Sequence, residues 1–163
     1  MSVADTALAR LDAVEARLRA LAESSPPSGA LTGADPSTGE RWDQGQVWAH
    51  LAEFIPYWIA QSQPIVEAHA SGEPVHFGRT KSDPERVGTI ERDRREPVAV
   101  LWSDTRDDIA ALRVFLTALT PAQWDAVGLH PTLGVMSISE IVEEFLVGHL
   151  EQHAEQLEAL GAS

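Results

Sequence analysis

Four stretches of the sequence repeat apolar residues at steps of three and four, and each is bounded by helix-start or breaker residues. A chain patterned this way can bury its apolar stripes only by packing helix against helix. In the first stretch the stripe is Leu8, Leu11, Val14, Leu18 and Leu21, and it stops before the breaker run at 23–29. A loop of about twenty residues follows, rich in Gly, Ser and Pro, as far as Trp42. Asp43 then reads as an N-cap, with Gln46 completing a capping box. The second stripe is Val47, Leu51, Phe54, Ile55 and Trp58, ending by 70–74. Pro56 and Pro64 interrupt it, and each removes a backbone donor, so a kink or staggered end is expected.

The third stretch begins near Pro97, a residue suited to a first helical turn. Its buried face is Val98, Leu101, Trp102, Ile109, Leu112, Leu116 and Leu119. Thr120 and Pro121 then start one short helical turn. The fourth stretch begins at Ser137, with Glu140 closing a capping box, and ends at Gly161, read as a C′ glycine. Its stripe is Ile138, Ile141, Val142, Phe145, Leu146, Leu157 and Leu160. Strand signals are nearly absent. The expectation is therefore an all-α protein, one four-helix bundle domain over residues 1–163, with two long connections.

Charge and composition narrow the partners. The formal net charge is −13, with 25 acidic and 12 basic residues. A surface this acidic repels phosphate backbones, which argues against nucleic acid. No apolar run is long enough to span a membrane, and charges interrupt the N-terminal stretch, so neither a membrane helix nor a signal peptide is read. The chain has no cysteine, which removes disulfides, thiolate nucleophiles and Cys-type zinc sites. A cytoplasmic location is expected.

Six histidines remain as candidates for chemistry: His50, His69, His76, His130, His149 and His153. Four residues advance a helix by roughly 400°, so His149 and His153 stand one above the other on one face. That face continues Val142 and Phe145 inward. His50 lies between Val47 and Phe54 on the inward side of the second helix. If these two helices are neighbours, three imidazoles converge, a donor set suited to a first-row divalent ion with coordination positions left open. The competing reading, hydrogen-bonded core histidines, is open at this point. His69 and His76 fall at a helix end and in a loop and are read as solvated; His130 beside Pro131 is read as structural. A Glu-x-x-His carboxylate pair occurs only at Glu73 and His76 in a loop, and H-E-x-x-H, G-x-S-x-G and glycine-rich phosphate loops are absent.

The stretch WDQGQVWAHLAEFIPYW, followed by LHPTLGVMSISEIVEEFLVGHLEQHAEQLEAL, resembles the DinB/YfiT-like superfamily from Trp42 to the C-terminal end. That group includes mycothiol-dependent maleylpyruvate isomerase-like proteins and bacillithiol transferases. The resemblance implies a four-helix bundle and a divalent metal (zinc, nickel or iron) held by His50, His149 and His153. It also implies chemistry with mycothiol or a related small thiol. The isomerases carry a further C-terminal domain that this sequence does not contain, so isomerase activity itself is not expected.

The segment 77–96 holds Arg79, Lys81, Arg86, Arg92, Arg94 and Arg95, half of the 12 basic residues. It is read either as a solvated loop or as a lid presenting Arg79 and Arg86 to a carboxylate on a cofactor or substrate. Trp48, Trp58, Trp102 and Trp124 are assigned to the core, and Trp42 to the mouth of the site. Together these readings favour a metal-dependent, thiol-dependent transferase acting on a small electrophile. A non-catalytic metal-binding stress-response bundle and a metal-dependent hydrolase are the alternatives. Association of two copies through an exposed helix face is compatible with such a bundle.

Overall fold

The computed structural model describes residues 1–162. Helix α1 spans Val3–Ala22 and α2 spans Gln44–Glu67. Strand β1 (Val75–His76), helix α3 (Pro84–Asp93) and helix α4 (Val98–Ala118) follow. Then come α5 (Pro121–Trp124), β2 (Val127–His130), β3 (Gly134–Ser137) and α6 (Ile138–Ile141). A π-helical turn over Val142–Leu146 joins α6 to α7 (Val147–Gly161). The four expected stretches are thus α1, α2, α4 and the continuous rod from α6 through α7. No helix of the described residues is long and apolar enough to cross a membrane.

The starts follow local chemistry. Ser2, Asp43 and Ser137 each cap a helix by accepting from the backbone N–H three residues on, and each box is closed by Asp5, Gln46 or Glu140. Pro97 sits at the N-cap of α4, one position before the first turn. Gly161 is still helical, and the chain leaves α7 at Ala162 in right-handed conformation, so the expected glycine cap is absent. Both Pro56 and Pro64 are accommodated inside α2.

Two features depart from an all-helical bundle. A three-stranded sheet, ordered β1-β2-β3 with β1 parallel and β3 antiparallel to β2, lies beside the helices. These strands are two to four residues long, too short to show alternation in sequence. The expected loop at 77–96 also contains α3, started by Asp83 with Pro84 in its first turn, whose single buried residue is Ile90. One buried position in ten residues leaves no stripe to detect.

Around the bundle, α1 touches α4 and α7, and α2 touches the same two, so α1 and α2 stand at opposite corners. The long connection 23–43 crosses that diagonal. Surface ion pairs record the direction: Arg10 meets Glu151 at 2.5 Å and Arg17 meets Glu158 at 2.9 Å, so α1 and α7 run parallel. Against α2, α7 runs antiparallel, since Trp58 stacks on Phe145 while His50 meets His149 and His153. The core between them is continuous and includes Leu11, Leu18, Leu51, Phe54, Ile109, Leu116, Ile141 and Leu150.

The π turn sets the phase of α7. Before it the buried stripe is Ile138, Ile141 and Val142; after it the stripe is Leu146, Leu150, Ala154 and Leu157. An unbroken 3.6 period from Ile138 would place residue 149 at the centre of the core face. The wide turn moves that centre to Leu150 and leaves His149 on the flank, facing a cleft. Gly148 permits this, because a Cβ there would lie 2.1 Å from the Glu143 carbonyl oxygen.

Gly148→Ala should therefore cost about 1–3 kcal/mol by overpacking the wide turn, and the loss should appear in thermal unfolding. A second prediction concerns Asp108 on α4. Burial first, and then Asp104 and Asp107, push its carboxyl up to about 6. The raised value penalises the folded protein at neutral pH and relaxes as pH falls through about 6 towards the ordinary carboxylate range. Asp108→Asn should add about 1 kcal/mol at pH 7, after allowance for solvent screening, and nothing below pH 4. Denaturant unfolding at the two pH values measures this.

Candidate metal site

His50 occupies the second turn of α2, and His149 and His153 the first two turns of α7. Their antiparallel helices bring the three side chains together. His149 Nε2 stands 3.0 Å from His50 Nε2 and 3.0 Å from His153 Nε2. All three candidate ligand atoms lie within 4.8 Å of one another, and among the described residues this is the only such cluster of histidines and carboxylates. His50 and His153 are buried; His149 is half-buried.

The opposite ring nitrogens are already engaged. His50 Nδ1–H donates to Glu53 Oε1 at 2.9 Å, and His153 Nδ1–H donates to Gln156 Oε1 at 2.7 Å. Gln152 accepts a hydrogen bond from His149. Each partner lies three residues after its histidine, so one helical turn supplies both ligand and orienting group. With the proton on Nδ1, Nε2 presents only a lone pair. Nitrogens bound at about 2.0–2.1 Å to one ion in tetrahedral or cis octahedral arrangement stand about 2.8–3.4 Å apart, and the two spacings from His149 lie in that range.

Burial keeps the triad neutral. It holds His50 and His149 well below the ordinary imidazole range, reinforced by the neighbouring histidines and Arg86. Burial also brings His153 down to about 4, against the opposing hydrogen bond to Gln156. The groups behind are fixed as well. Glu53 is half-buried with its side chain only 8% exposed, and both its oxygens accept from Arg79 Nη2, at 2.7 and 2.6 Å. Burial pushes the Glu53 carboxyl up while Arg79 pulls it down. The Arg79 guanidinium in turn lies 3.8 Å over the Tyr57 ring.

Two clefts open onto the triad. One, of about 180 Å³, is lined by Trp58, Phe145, Arg79 and Arg86 beside His50 and His149. The other, of about 460 Å³, lies beneath the connection 23–43 and reaches His153. That connection is folded back by Thr32, whose N–H donates to the Trp42 carbonyl at 2.8 Å while its hydroxyl accepts from Trp42 N–H. Trp42 is thereby set edge-on to His50, with ring centroids 5.3 Å apart, and stacked towards His153 at 6.3 Å. Lys81 pins the loop from outside through Asp35 at 2.7 Å.

The remaining histidines lie elsewhere. His69 Nδ1–H donates to the Val66 carbonyl at the end of α2, and His76 is exposed on β1. His130 is buried among Trp58, Phe77 and Phe145, where its Nδ1 accepts from Thr132 and Leu133. Gly78, with φ of 91°, lets that ring approach: a Cβ there would sit 2.5 Å from it. Trp58 belongs to the core and also to a cleft wall. Reading single residues overlooked Glu53, Gln152 and Gln156. Their signal was present, since H-x-x-E or H-x-x-Q follows each of the three histidines.

Among solved structures, YfiT from Bacillus subtilis, described as a probable metal-dependent hydrolase with an unusual four-helix bundle topology, superposes with a TM-score of 0.74 at 17% identity. The match covers 98% of this chain and 86% of YfiT. The likeness shows a shared four-helix bundle fold. A mutant of the mycothiol-dependent maleylpyruvate isomerase shares this fold at TM-score 0.66 and 14% identity, over 96% of this chain and 61% of the isomerase. So does an uncharacterized protein from Clostridium difficile 630, at TM-score 0.60 and 11% identity, over 96% and 94% of the two chains. No family model matches the sequence. No curated protein sequence matches it either. In this bundle, Gln156→Leu should leave the helices intact and weaken divalent-ion affinity 10- to 100-fold, by releasing the His153 ring. Competition with a chromogenic chelator measures the change.

Proposed function

We propose that His50, His149 and His153 hold one divalent ion, and that the protein uses it to transfer a low-molecular-weight thiol onto a small electrophile. The observation that carries the reading is the set of inward-facing Nε2 atoms. His50 and His153 have their protons on Nδ1, so at most one proton on His149 could bridge a single pair. The lone pairs left over repel at 3.0 Å in a buried place, and a cation between them removes that repulsion. The donor set suits zinc, nickel or iron, as three neutral imidazoles do.

When bound, such an ion acidifies a thiol or water placed in its open positions, so the nucleophile is present at neutral pH. The chain's residues supply the rest. Neutral imidazoles leave the ion its full charge. Glu53, Gln152 and Gln156 lock the rings, so little reorganisation is needed. Trp42 and the 23–43 connection limit water on one side, and Trp58 with Phe145 give the other cleft an apolar wall. No protein cysteine is required, in agreement with a chain that has none.

Three protein ligands beside two clefts favour a catalytic site over a structural one, since structural zinc sites are usually closed by four. The likeness to a mycothiol-dependent isomerase supports the thiol, with mycothiol the first candidate. The likeness to YfiT supports a second reading, in which metal-bound hydroxide hydrolyses the substrate.

Elemental analysis should find about one divalent ion per chain, and His149→Ala should abolish its retention. Metal-loaded protein should accelerate conjugation of mycothiol, or another thiol from a bacterial panel, to an aryl halide, with chelation removing the rate enhancement. Rates equal to the uncatalysed reaction with every thiol would reject the transferase. Thiol-independent ester or amide cleavage by the same preparation would establish the hydrolase instead.

A further inference from the structure

Three cations face the clefts beside the triad, and they differ in what neutralises them. Arg79 gives its guanidinium to both oxygens of half-buried Glu53 and packs on Tyr57. Lys81 is paired with Asp35 and held by Ser37 Oγ at 3.1 Å. Arg86 makes no ion pair among the described residues. One of its nitrogens, Nη1, donates to the Lys81 carbonyl at 2.8 Å, and the guanidinium carbon lies 5.5 Å from the centre of the Trp42 ring. Asp83 caps the backbone N–H of Arg86, and does not meet its side chain.

This arrangement is unusual for this chain. Acidic residues outnumber basic ones 25 to 12, so carboxylate partners are abundant. Yet the guanidinium that borders both clefts has none in contact. Glu53, Glu40 and Asp35 act on it only at a distance, and Arg79 opposes them. Burial weakens its hold on the proton, a sign that its charge is poorly solvated where it stands. Glu144, which also borders the smaller cleft, is exposed at the rim.

We propose that Arg86 is the anion-binding residue of the site and that the small molecule it receives carries a carboxylate. This rests on the reading of His50, His149 and His153 as the reactive centre. A guanidinium with several unused N–H donors matches a carboxylate in two parallel hydrogen bonds. Trp42 couples the two halves of the site, because the ring beneath Arg86 is the one that packs against His50 and His153. A bound acid would thus have its carboxylate on α3 and its reacting end on the triad. A single free guanidinium in a strongly acidic protein favours a monoanion over a polyphosphate. Arg79 is assigned the different task of holding Glu53, and through it His50.

The test uses two thiols of equal length, 3-mercaptopropionate and 3-mercaptopropionamide, titrated into cobalt-loaded protein while the thiolate-to-cobalt absorption is followed. Wild-type protein should bind the acid at least about tenfold more tightly than the amide. Arg86→Gln should bring the two within about twofold without changing cobalt stoichiometry or helical content. Arg86→Lys should retain part of the preference, and Arg106→Gln, which removes an exposed charge on α4, should retain all of it. Equal affinities in wild type, or an undiminished preference in Arg86→Gln, would overturn the assignment. Should cobalt bind but neither thiol give the absorption band, the thiol reading fails separately. Propionate against propionamide, followed by tryptophan fluorescence on the same protein, then decides the role of Arg86: preference for propionate, lost in Arg86→Gln, supports it, and no preference rejects it.

Discussion

The structure depends on three imidazoles that meet with the Nε2 atoms of His50 and His153 each 3.0 Å from that of His149, those two rings holding their proton on the far side. Much of this structure arranges that condition. Glu53 and Gln156 take the Nδ1 protons of His50 and His153, Gln152 accepts from His149, and burial keeps the rings from becoming imidazolium. The π turn before Val147 rotates His149 off the core face and towards the clefts. Antiparallel packing of α2 on α7 then brings the two-histidine helix to the one-histidine helix. Each step is modest in energy, but together they leave the three Nε2 atoms few other places to stand.

The electrostatics are layered around this centre. On the outside, Arg10, Arg17 and Arg113 fasten α1 to α7 and α4 through partly exposed ion pairs, each worth little by itself. Inside, the Glu53–Arg79 pair has side chains only 8% and 9% exposed, and it stands directly behind His50. Removing one partner of such an enclosed pair would strand the other charge. Arg86 differs from both classes, being half-buried and without a carboxylate in contact. The segment 77–96 that looked uniformly basic therefore contains three different functions: a brace in Arg79, a fastener in Lys81 and a free donor in Arg86.

Fold likeness at 11 to 17% identity speaks for the bundle and its order of helices. The chemistry has to come from this chain's own side chains. The two named neighbours point in different directions, hydrolysis and thiol-dependent isomerisation. A site of three neutral histidines beside open clefts is compatible with either, because acidifying water and acidifying a thiol ask the same of the protein. What distinguishes them is the ligand that the clefts accept.

By itself, the sequence determined the elements with strong local signals. Capping residues Asp43 and Ser137 and apolar stripes at steps of three and four marked the helices, because these effects act within one or two turns. The i, i+4 spacing put His149 and His153 on one face for the same reason. Only the tertiary structure decided what depends on distant neighbours. The strand at 75–76 exists through pairing with the distant segment 127–130, the hairpin of 127–130 with 134–137 is too short to show alternation, and α3 lies in a stretch with a single buried residue. The π turn leaves the composition of its helix unremarkable while shifting its phase, so a 3.6-residue count runs through it unaware. Whether an arginine is spent on a carboxylate or left for a ligand is likewise a matter of which chain segment lies opposite. Arg79 and Arg86 look alike in sequence; Glu53, 26 residues away, separates them.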